Sequence, residues 1–357
     1  MSSPFQGIIR PLLFATFVLG CFGTIFFMYY KPSTDRLSGP LKTGVNAPVK
    51  EIISIRTDKN VTTVLLWFWP FGITFELNVC SAYFSIEGCF ITADRNYFNE
   101  ADVVVFHHRD IAPDLSNLPK QERPLYQMWV WFNMENPSYS DRFPGMDELF
   151  NLTMNYRWDA DIPLPHLYLV PEKGKEDFVL PKKDHVVCWI VSNWKEHYIR
   201  VKYYKELSKH IKITTFGRGF GGYHYGDTLS TIASCKFYLS FENSIYQDYI
   251  TEKLYNPLAV GTVPIVLGTL RENYEKLVLG DSFIHVDDFS SPKELADYLL
   301  LLDSNDDLYL KYFQWRKHYK VRKLELWSEP MCQACDYLRK RRQFRVANDL
   351  NKWYWGW

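Results

Sequence analysis

Short apolar runs that alternate with helical segments constrain the fold of this chain more than any other feature. Runs rich in β-branched and aromatic residues occur in the first half, at 64–71, 101–108 and 126–133. Further runs follow in the second half, at 185–193, 211–216, 235–243, 262–268 and 282–288. Helical patterns lie among them, at about 195–210, 250–256, 292–302 and 306–319. Continuous apolar strands are typical of parallel sheets covered on both faces, so the sequence predicts an α/β fold with two doubly wound domains.

The charge balance argues against one large class of partners. The 357 residues carry 41 Lys and Arg against 41 Asp and Glu, so the formal net charge is zero, and 47% of the residues are apolar. A dedicated nucleic-acid binder would be basic, and an apolar fraction this high argues against intrinsic disorder. The basic cluster at 339–342 is therefore interpreted as the solvated end of a helix, and no nucleic-acid partner is expected.

The N-terminal region predicts a membrane anchor. Residues 11–30 are uncharged and mostly apolar, and twenty helical residues span about 30 Å, the hydrocarbon thickness of a bilayer. The run ends in bulky residues rather than in a small-residue cleavage site, which favours an uncleaved anchor over a signal peptide. The sequence thus predicts a cytosolic tail at 1–10, an anchor at 11–30 and a stem at 31–60.

Two sequons and the cysteines indicate on which side of the membrane the body of the chain lies. Asn60 and Asn151 each begin an N-x-T sequon, the acceptor pattern for N-glycosylation in the secretory pathway. Six of the seven cysteines follow the anchor, an even number that can pair in an oxidising lumen, whereas Cys21 lies within the anchor. These features predict a type II membrane protein with a lumenal body.

Three short motifs each allow a purely structural interpretation beside a functional one. The segment 217–222 fits G-x-G-x-x-G, but loop-like residues follow it instead of a helix, so a glycine-rich loop is favoured over a dinucleotide site. Asp159 and Asp161 form a D-x-D that could hold a divalent ion, although a turn with a local ion pair is the favoured interpretation. His107 and His108 point to opposite faces of a strand, so they are poor joint metal ligands, although one of them could face a cleft.

The segment 237–268 and the end of an earlier strand carry the most chemistry. Glu242 and Asn243 end a strand, and Tyr249, Glu252 and Lys253 follow at the start of a helix, where phosphate binds readily. The segment 192–200 ends in Arg200, which offers a second cation. Glu135 follows the aromatic strand 129–135, at the carboxyl end where a general base would lie.

Taken together, these segments resemble the α-1,3-fucosyltransferases of glycosyltransferase family 10. The family signature is matched by FYLSFENS, DYITEKLYN and G-x-VP-x-VLG within 237–268. The resemblance implies a GT-B fold of two Rossmann-like domains facing across a cleft. It divides the body into an acceptor-side domain at 61–170, a GDP-fucose-binding domain at 171–325 and a C-terminal segment at 326–357 that returns to the first domain.

The resemblance also implies an activity and a location. Family members transfer L-fucose from GDP-β-L-fucose, with inversion, to O3 of N-acetylglucosamine in Galβ1-4GlcNAc chains of glycoproteins and glycolipids, forming Lewis x structures. Glu135 would be the general base, and no metal or other cofactor would be required. The donor positions that match are Ser192, Asn193, Arg200, Tyr238, Glu242, Asn243, Tyr249, Glu252 and Lys253. The resemblance further implies the Golgi membrane as location and leaves a homodimer open.

The family pattern pairs the six lumenal cysteines as Cys80–Cys332, Cys89–Cys335 and Cys188–Cys235. The chain departs from that pattern elsewhere, at Ile73, where the family places a glutamine that contacts the acceptor, and at Asn136, Trp158, His166–Leu167 and Pro257. An interior proline such as Pro257 costs a helix about 3 kcal/mol unless the helix bends. Two alternatives stay open: a metal-dependent glycosyltransferase that uses Asp159 and Asp161, and an anchored sugar-binding protein without catalysis.

Overall fold

The computed structural model describes residues 60–172, 178–220, 226–341, 346–347 and 349–356. The predicted tail, anchor and all of the stem except Asn60 lie outside these ranges, as does Cys21. Within the ranges, no helix combines the length and apolar character that a membrane crossing requires. The description below therefore concerns the body of the chain.

The first half of the body forms a six-stranded parallel sheet with the order β2-β1-β3-β4-β5-β6. Its strands are β1 Thr62–Leu66, β2 Cys89–Thr92, β3 Val103–His107, β4 Met128–Asn133, β5 Leu152–Asn155 and β6 Ile162–Pro163. Every residue of β1, β3, β4 and β5 is buried, which is why these strands lack the polar alternation of a half-exposed sheet.

The second half forms a five-stranded parallel sheet, joined to the first half through a two-stranded antiparallel pair. The pair consists of β7 Leu167–Pro171 and β13 Tyr319–Lys323. The parallel sheet has the order β12-β11-β10-β8-β9. Its strands are β8 His185–Ile190, β9 Ile213–Phe216, β10 Cys235–Phe241, β11 Val263–Leu267 and β12 Ile284–His285.

Nine α-helices occur in the described ranges. They are α1 Cys80–Phe84, α2 Ile199–Leu207, α3 Thr228–Ala233, α4 Glu252–Val260, α5 Arg271–Glu275, α6 Pro292–Ser304, α7 Asp306–Leu310, α8 Ser328–Lys340 and α9 Leu350–Trp355. The predicted helical end of the basic cluster corresponds to the last turn of α8.

Each parallel sheet has its own apolar core, and the C-terminal segment packs in the first one. The first core gathers side chains of β1 to β6 together with Met331 and Leu338 of α8 and Leu350 and Tyr354 of α9. The second core gathers β8 to β12 with α2, α6 and α7. The chain thus leaves the first sheet, builds the second one and returns.

Two predicted elements are shorter than the sequence pattern indicated. The run 64–71 is a strand only as far as Leu66, because Pro70 begins a 3-10 turn over Pro70–Gly72 in which Phe71 takes a left-handed conformation with φ of 55°. The predicted helix over 306–319 ends at Leu310 and continues as 3-10 turns over Lys311–Lys317, since β13 starts at Tyr319 and pairs with β7.

Three disulfides are formed in the described part of the chain, and they join the same cysteines that the family pattern pairs. Cys80–Cys332 and Cys89–Cys335 link residues 252 and 246 positions apart and attach α8 to α1 and β2. Cys188–Cys235 joins the adjacent strands β8 and β10. The first two bridges tie the returning C-terminal segment to the first sheet and restrict the unfolded chain across most of its length.

The burial of Asn151 contradicts its prediction as a glycosylation site. Its exposed fraction is 0%, and its side-chain oxygen accepts a hydrogen bond from the Trp129 backbone N–H at 2.8 Å. The side chain is part of the connection between β4 and β5, so an oligosaccharide on its amide nitrogen does not fit the folded chain. Asn60, at the other sequon, is exposed.

Candidate active site

Glu135 lies just beyond the carboxyl end of β4, in a loop where its side chain is half-buried. Burial raises the pKa of the Glu135 carboxyl above the ordinary glutamate value, against the opposing charges of Arg109 and Lys253. A carboxylate with a raised pKa holds a proton more strongly than a free glutamate. Glu135 is therefore chemically suited to accept a proton.

A cavity of about 300 Å³ opens at the carboxyl ends of β8 and β10, where ligands bind in open parallel sheets. Seven of the nine predicted donor residues line it, namely Ser192, Asn193, Arg200, Tyr238, Asn243, Glu252 and Lys253. Sequence analysis missed Thr228 and Asn256, which line it as well. Asn256 lies one helical turn after Glu252 on α4, so helical periodicity could have found it.

The other two predicted donor residues lie beside the cavity rather than on its wall. Glu242 is buried beneath it and forms an ion pair with Lys253, with 2.9 Å between Oε2 and Nζ. Tyr249 is buried in the first core, with its ring centroid 5.1 Å from that of Tyr156. Glu242 therefore acts on the cavity through Lys253, and Tyr249 joins the two halves of the body.

Lys253 supplies a fixed positive charge at the cavity. Burial opposes that charge, but the carboxylates of Glu242 and Glu252 outweigh the burial and raise the pKa of Lys253 above the ordinary lysine value. The Thr251 hydroxyl lies 2.9 Å from the same Nζ and also accepts the Lys253 N–H as N-cap of α4. The ammonium group is thus protonated at physiological pH and held at the start of a helix.

Arg200 is the second cation of the cavity. Its exposed fraction is 5%, and one guanidinium nitrogen donates to the backbone carbonyl of Asn193. Its Nε has no hydrogen-bond partner among the described residues. An unsatisfied buried donor is costly unless a ligand completes it, so this group suits an anionic ligand such as a diphosphate.

Pro257 lies inside α4 without ending it. A helix would normally donate the N–H of residue 257 to the carbonyl of Lys253, and proline lacks that N–H. The hydroxyl of Ser240, on the adjacent strand β10, donates to this carbonyl at 2.7 Å. The helix therefore continues from Glu252 to Val260, and the expected cost of the proline is reduced.

The loop that carries Glu135 touches the loops around the cavity. Asn136 donates to the side-chain oxygen of Asn243 at 3.2 Å. Asn193 donates to the hydroxyl of Tyr139 at 2.8 Å, and that hydroxyl lies 2.7 Å from the hydroxyl of Tyr198. The half-buried carboxylate and the cationic cavity are thereby brought to one site.

Ile73 lies on the turn after β1, at the same sheet edge as Glu135, and is 49% exposed. Phe71 on this turn is equally exposed, and its ring lies 4.9 Å from that of His107 and 6.1 Å from that of Trp327. The turn is held by Asp110, whose carboxylate accepts the Phe71 N–H at 3.1 Å. An exposed apolar surface thus borders the site.

The two histidines of β3 and its end are both buried, so the expectation that one faces a cleft is wrong. His107 lies 2.6 Å from the Asp110 carboxylate. His108 accepts from the indole N–H of Trp131 at 3.2 Å, and burial lowers the pKa of His108 to about 4. Both rings serve the packing of the first core.

The D-x-D carboxylates have structural partners. Asp159 accepts two hydrogen bonds from Arg157, at 2.8 and 2.6 Å, and one from the indole of Trp353. Asp161 accepts from the backbone and hydroxyl of Thr153. In the described ranges, no group of three or more His, Cys, Asp or Glu side chains is arranged to hold a metal ion.

The glycine-rich segment serves close backbone packing where it is described. Residues 218–220 form a 3-10 turn rather than an α-helix, which does not fit a dinucleotide fingerprint. Gly217 has a φ of +97°, and a Cβ there would lie 2.5 Å from the carbonyl oxygen of Val191. This contact fixes the end of β8 just before the cavity residues Ser192 and Asn193.

The remaining departures from the family pattern lie around the site. Burial lowers the pKa of His166 to about 4, despite the opposing charge of Glu252, so its ring is neutral. Trp158 is 39% exposed, and its backbone N–H donates to the buried carboxylate of Asp248 at 3.2 Å. Trp158 also lines a second cavity of about 270 Å³ with Leu167 and Lys276.

Comparisons with known proteins agree with this geometry. Residues 59–167 match the family "Fucosyltransferase, N-terminal", and residues 180–353 match "Glycosyltransferase family 10 (fucosyltransferase) C-term". The chain is 47% identical to 4-galactosyl-N-acetylglucosaminide 3-alpha-L-fucosyltransferase 9 of Mus musculus and of Homo sapiens, over 99% of this chain and 100% of each relative. It is 40% identical to the 3-galactosyl-N-acetylglucosaminide 4-alpha-L-fucosyltransferase of Pan troglodytes, over 98% of this chain and 97% of that relative.

The fold is shared with a solved structure. A crystal structure of an alpha1,3-fucosyltransferase with GDP matches with a TM-score of 0.51 and 18% identity, over 81% of this chain and 93% of that chain. At this identity the likeness concerns the fold. The family matches and the full-length relatives carry the assignment: the chain is an enzyme that belongs to the fucosyltransferases of glycosyltransferase family 10.

Proposed function

We propose that this enzyme transfers L-fucose from GDP-β-L-fucose to O3 of N-acetylglucosamine in Galβ1-4GlcNAc chains, with inversion at the fucose carbon. The products are Lewis x type structures on glycoproteins and glycolipids. One observation carries the proposal: the loop of Glu135 is hydrogen-bonded to the rim of a cavity that holds Arg200 and Lys253. The names of the relatives at 47% identity specify the same acceptor and position.

The chemistry follows from the three charged groups. The acceptor oxygen attacks the anomeric carbon of fucose as the bond between that carbon and the GDP oxygen breaks. Glu135 takes the proton of the acceptor hydroxyl, and a raised pKa favours this transfer. The charge that develops on the leaving diphosphate is stabilised by Lys253 and Arg200, which are already in place before the reaction.

Glu242 is proposed to support the sugar. Its carboxylate is paired with Lys253 in this structure. From its position beside the cavity, the negative charge of Glu242 would stabilise positive charge that develops on the fucose ring. Its 3% exposed fraction keeps this interaction strong, because buried charges are weakly screened.

The organisation proposed for the chain is that of a GT-B enzyme in the Golgi membrane. The acceptor-side domain at 61–170, the donor domain at 171–325 and the returning segment at 326–357 follow the two sheets and their cores. The three disulfides favour an oxidising lumen. The apolar run at 11–30 would anchor the chain as a single-pass type II protein, and a homodimer remains part of the proposal.

The direct test incubates the purified protein with radiolabelled GDP-fucose and a panel of acceptors, with and without EDTA. The panel contains neutral and sialylated Galβ1-4GlcNAc units and Galβ1-3GlcNAc, because one relative is named as a 4-alpha-L-fucosyltransferase. We expect transfer to O3 of Galβ1-4GlcNAc that persists in EDTA. Absence of transfer to every acceptor would reject the proposal in favour of a sugar-binding protein, and abolition by EDTA would reject the metal-independent mechanism.

A further inference from the structure

The loop of Glu135 is held through its backbone on both sides of the residue. The N–H of Glu135 donates to the side-chain oxygen of Asn133 at 3.1 Å. The carbonyl of Glu135 accepts a hydrogen bond from the hydroxyl of Tyr354, which lies 219 positions further along the chain in α9. The last helix of the protein therefore touches the residue proposed as the base.

These two bonds replace the ladder bonds that the loop lacks. The pairing of β4 with β5 ends at Asn133 and Asn155, so the backbone groups that follow need other partners where water is excluded. Asn133, whose exposed fraction is 0%, also donates to the Tyr354 hydroxyl at 3.2 Å and to the Ser140 hydroxyl at 2.9 Å. The Tyr354 hydroxyl thus accepts a hydrogen bond from the Asn133 amide and donates one to the Glu135 carbonyl. This couples the orientations of Asn133 and Glu135.

The position of that hydroxyl is fixed by the docking of α9. The Tyr354 ring is 2% exposed and packs with its edge against Trp131, with 4.8 Å between the ring centroids. Asn351 donates twice to the Asp147 carboxylate, at 2.8 and 2.9 Å, and the indole of Trp355 donates to the Ser140 carbonyl at 2.9 Å. All of these partners lie on β4 or in the segment that follows it.

We infer that Tyr354 is a positioning residue for Glu135, so that the C-terminal helix aims the base at the acceptor hydroxyl. The inference rests on the proposed function, because it assumes that Glu135 takes a proton. Proton transfer requires heavy atoms within about 2.6–3.2 Å of each other. A displacement of about 1 Å in a supporting shell costs on the order of 100-fold in rate.

The test is Tyr354→Phe, which keeps the buried ring and removes only the hydroxyl. We expect kcat for fucose transfer to fall about 10- to 100-fold, while the KM for GDP-fucose and the Kd for GDP stay unchanged. The acidic limb of the pH profile should also move to lower pH, because a loosened loop hydrates the Glu135 carboxylate. Arg109, Lys253 and Glu252, whose charges act on that carboxylate, are unaltered in this variant.

Trp353→Phe is the matched control on the same helix. It removes an indole bond to Asp159, at 3.2 Å, and keeps an aromatic ring beside Trp131 and Tyr354. The side chains of Asn133, Glu135 and Tyr354 are not substituted in it. If Tyr354→Phe retains the kcat of this control, or loses GDP binding in proportion to transfer, the inference is overturned. If Tyr354→Phe does not fold, Asn133→Ala, which removes the acceptor of the Glu135 N–H, must show the same loss of kcat with GDP binding retained, and an unchanged kcat overturns the inference.

Glu135→Gln separates failure of the inference from failure of the proposed function. Absence of transfer by the parent enzyme would reject the proposed function. Transfer at the parental rate by Glu135→Gln would leave the proposed reaction standing, but it would refute the role of Glu135 as base and with it the positioning role of Tyr354. An inactive Glu135→Gln enzyme together with a fully active Tyr354→Phe enzyme would leave the base in place and reject the positioning role alone.

Discussion

Ser240→Ala tests how α4, the helix that carries the cavity residues Glu252 and Lys253, accommodates Pro257. The Ser240 hydroxyl is 2.7 Å from the Lys253 carbonyl, and Ser240 is 2% exposed. Alanine would leave this carbonyl without a donor, because Pro257 offers no N–H. A buried polar group that loses its partner costs about 1–3 kcal/mol, so the free energy of unfolding should fall by about that amount.

The loss of unfolding free energy caused by Ser240→Ala should depend on Pro257, and a double-mutant cycle measures that dependence. In a Pro257→Ala background, the restored N–H of residue 257 can donate to the Lys253 carbonyl. Ser240→Ala should then cost less than about 1 kcal/mol, since the carbonyl keeps a partner. The expected coupling between the two positions is about 1–2 kcal/mol.

The assay is equilibrium unfolding in urea with the disulfides intact, followed by fluorescence of the 12 tryptophans. The four proteins are the parent, Ser240→Ala, Pro257→Ala and the double variant. The GDP affinity of each is measured in parallel, because the same turn of the helix carries Lys253. Independent sites add within roughly 0.3–0.5 kcal/mol. If Ser240→Ala lowers the free energy of unfolding by the same amount, within that margin, in the parent and in Pro257→Ala, the Ser240 hydroxyl does not compensate for Pro257.

Three further predictions concern the site and the processing of the chain. The acidic limb of the kcat/KM profile should lie above the ordinary pKa of glutamate, because activity is lost as pH falls through the raised pKa of Glu135. Arg109→Gln removes a positive charge that lowers this pKa, so it should move the limb to higher pH. An unmoved limb would contradict the effect of Arg109 on Glu135. Lys253→Met should raise the KM for GDP-fucose and lower the melting temperature, since buried Glu242 loses its partner, whereas the exposed Lys209→Met should change neither. Glycopeptide mass spectrometry should find no glycan on Asn151, and an occupied Asn151 would contradict its burial.

The sequence predicted those features that depend on local pattern. Continuous apolar runs indicated strands β3, β4, β8 and β10, and the position of Glu135 after β4 followed from the rule that sites lie at carboxyl ends. Glu242 and Asn243 at the end of β10 were found for the same reason, whereas Ser192, Asn193 and Tyr238 came from the family resemblance. The family resemblance added the cysteine pairs that occur in the structure.

Features that depend on distant parts of the chain were not accessible from sequence. The hydroxyl of Tyr354 meets Glu135 across 219 positions, and no local pattern marks such a contact. Similarly, the cost of Pro257 can be judged only once the adjacent strand places Ser240 beside the helix. Asn151 has a complete sequon, but its burial between β4 and β5 is a property of the sheet.

The central claim is that Glu135 is the base of a fucosyltransferase, and Glu135→Gln tests it most directly. Fucose transfer from GDP-fucose to N-acetyllactosamine is measured together with GDP binding by calorimetry. General base catalysis contributes about 10²- to 10⁴-fold, so transfer should fall by that factor while the Kd for GDP remains that of the parent. Transfer at the parental rate would contradict the assignment, and joint loss of transfer and GDP binding would assign Glu135 to the structure of the site instead.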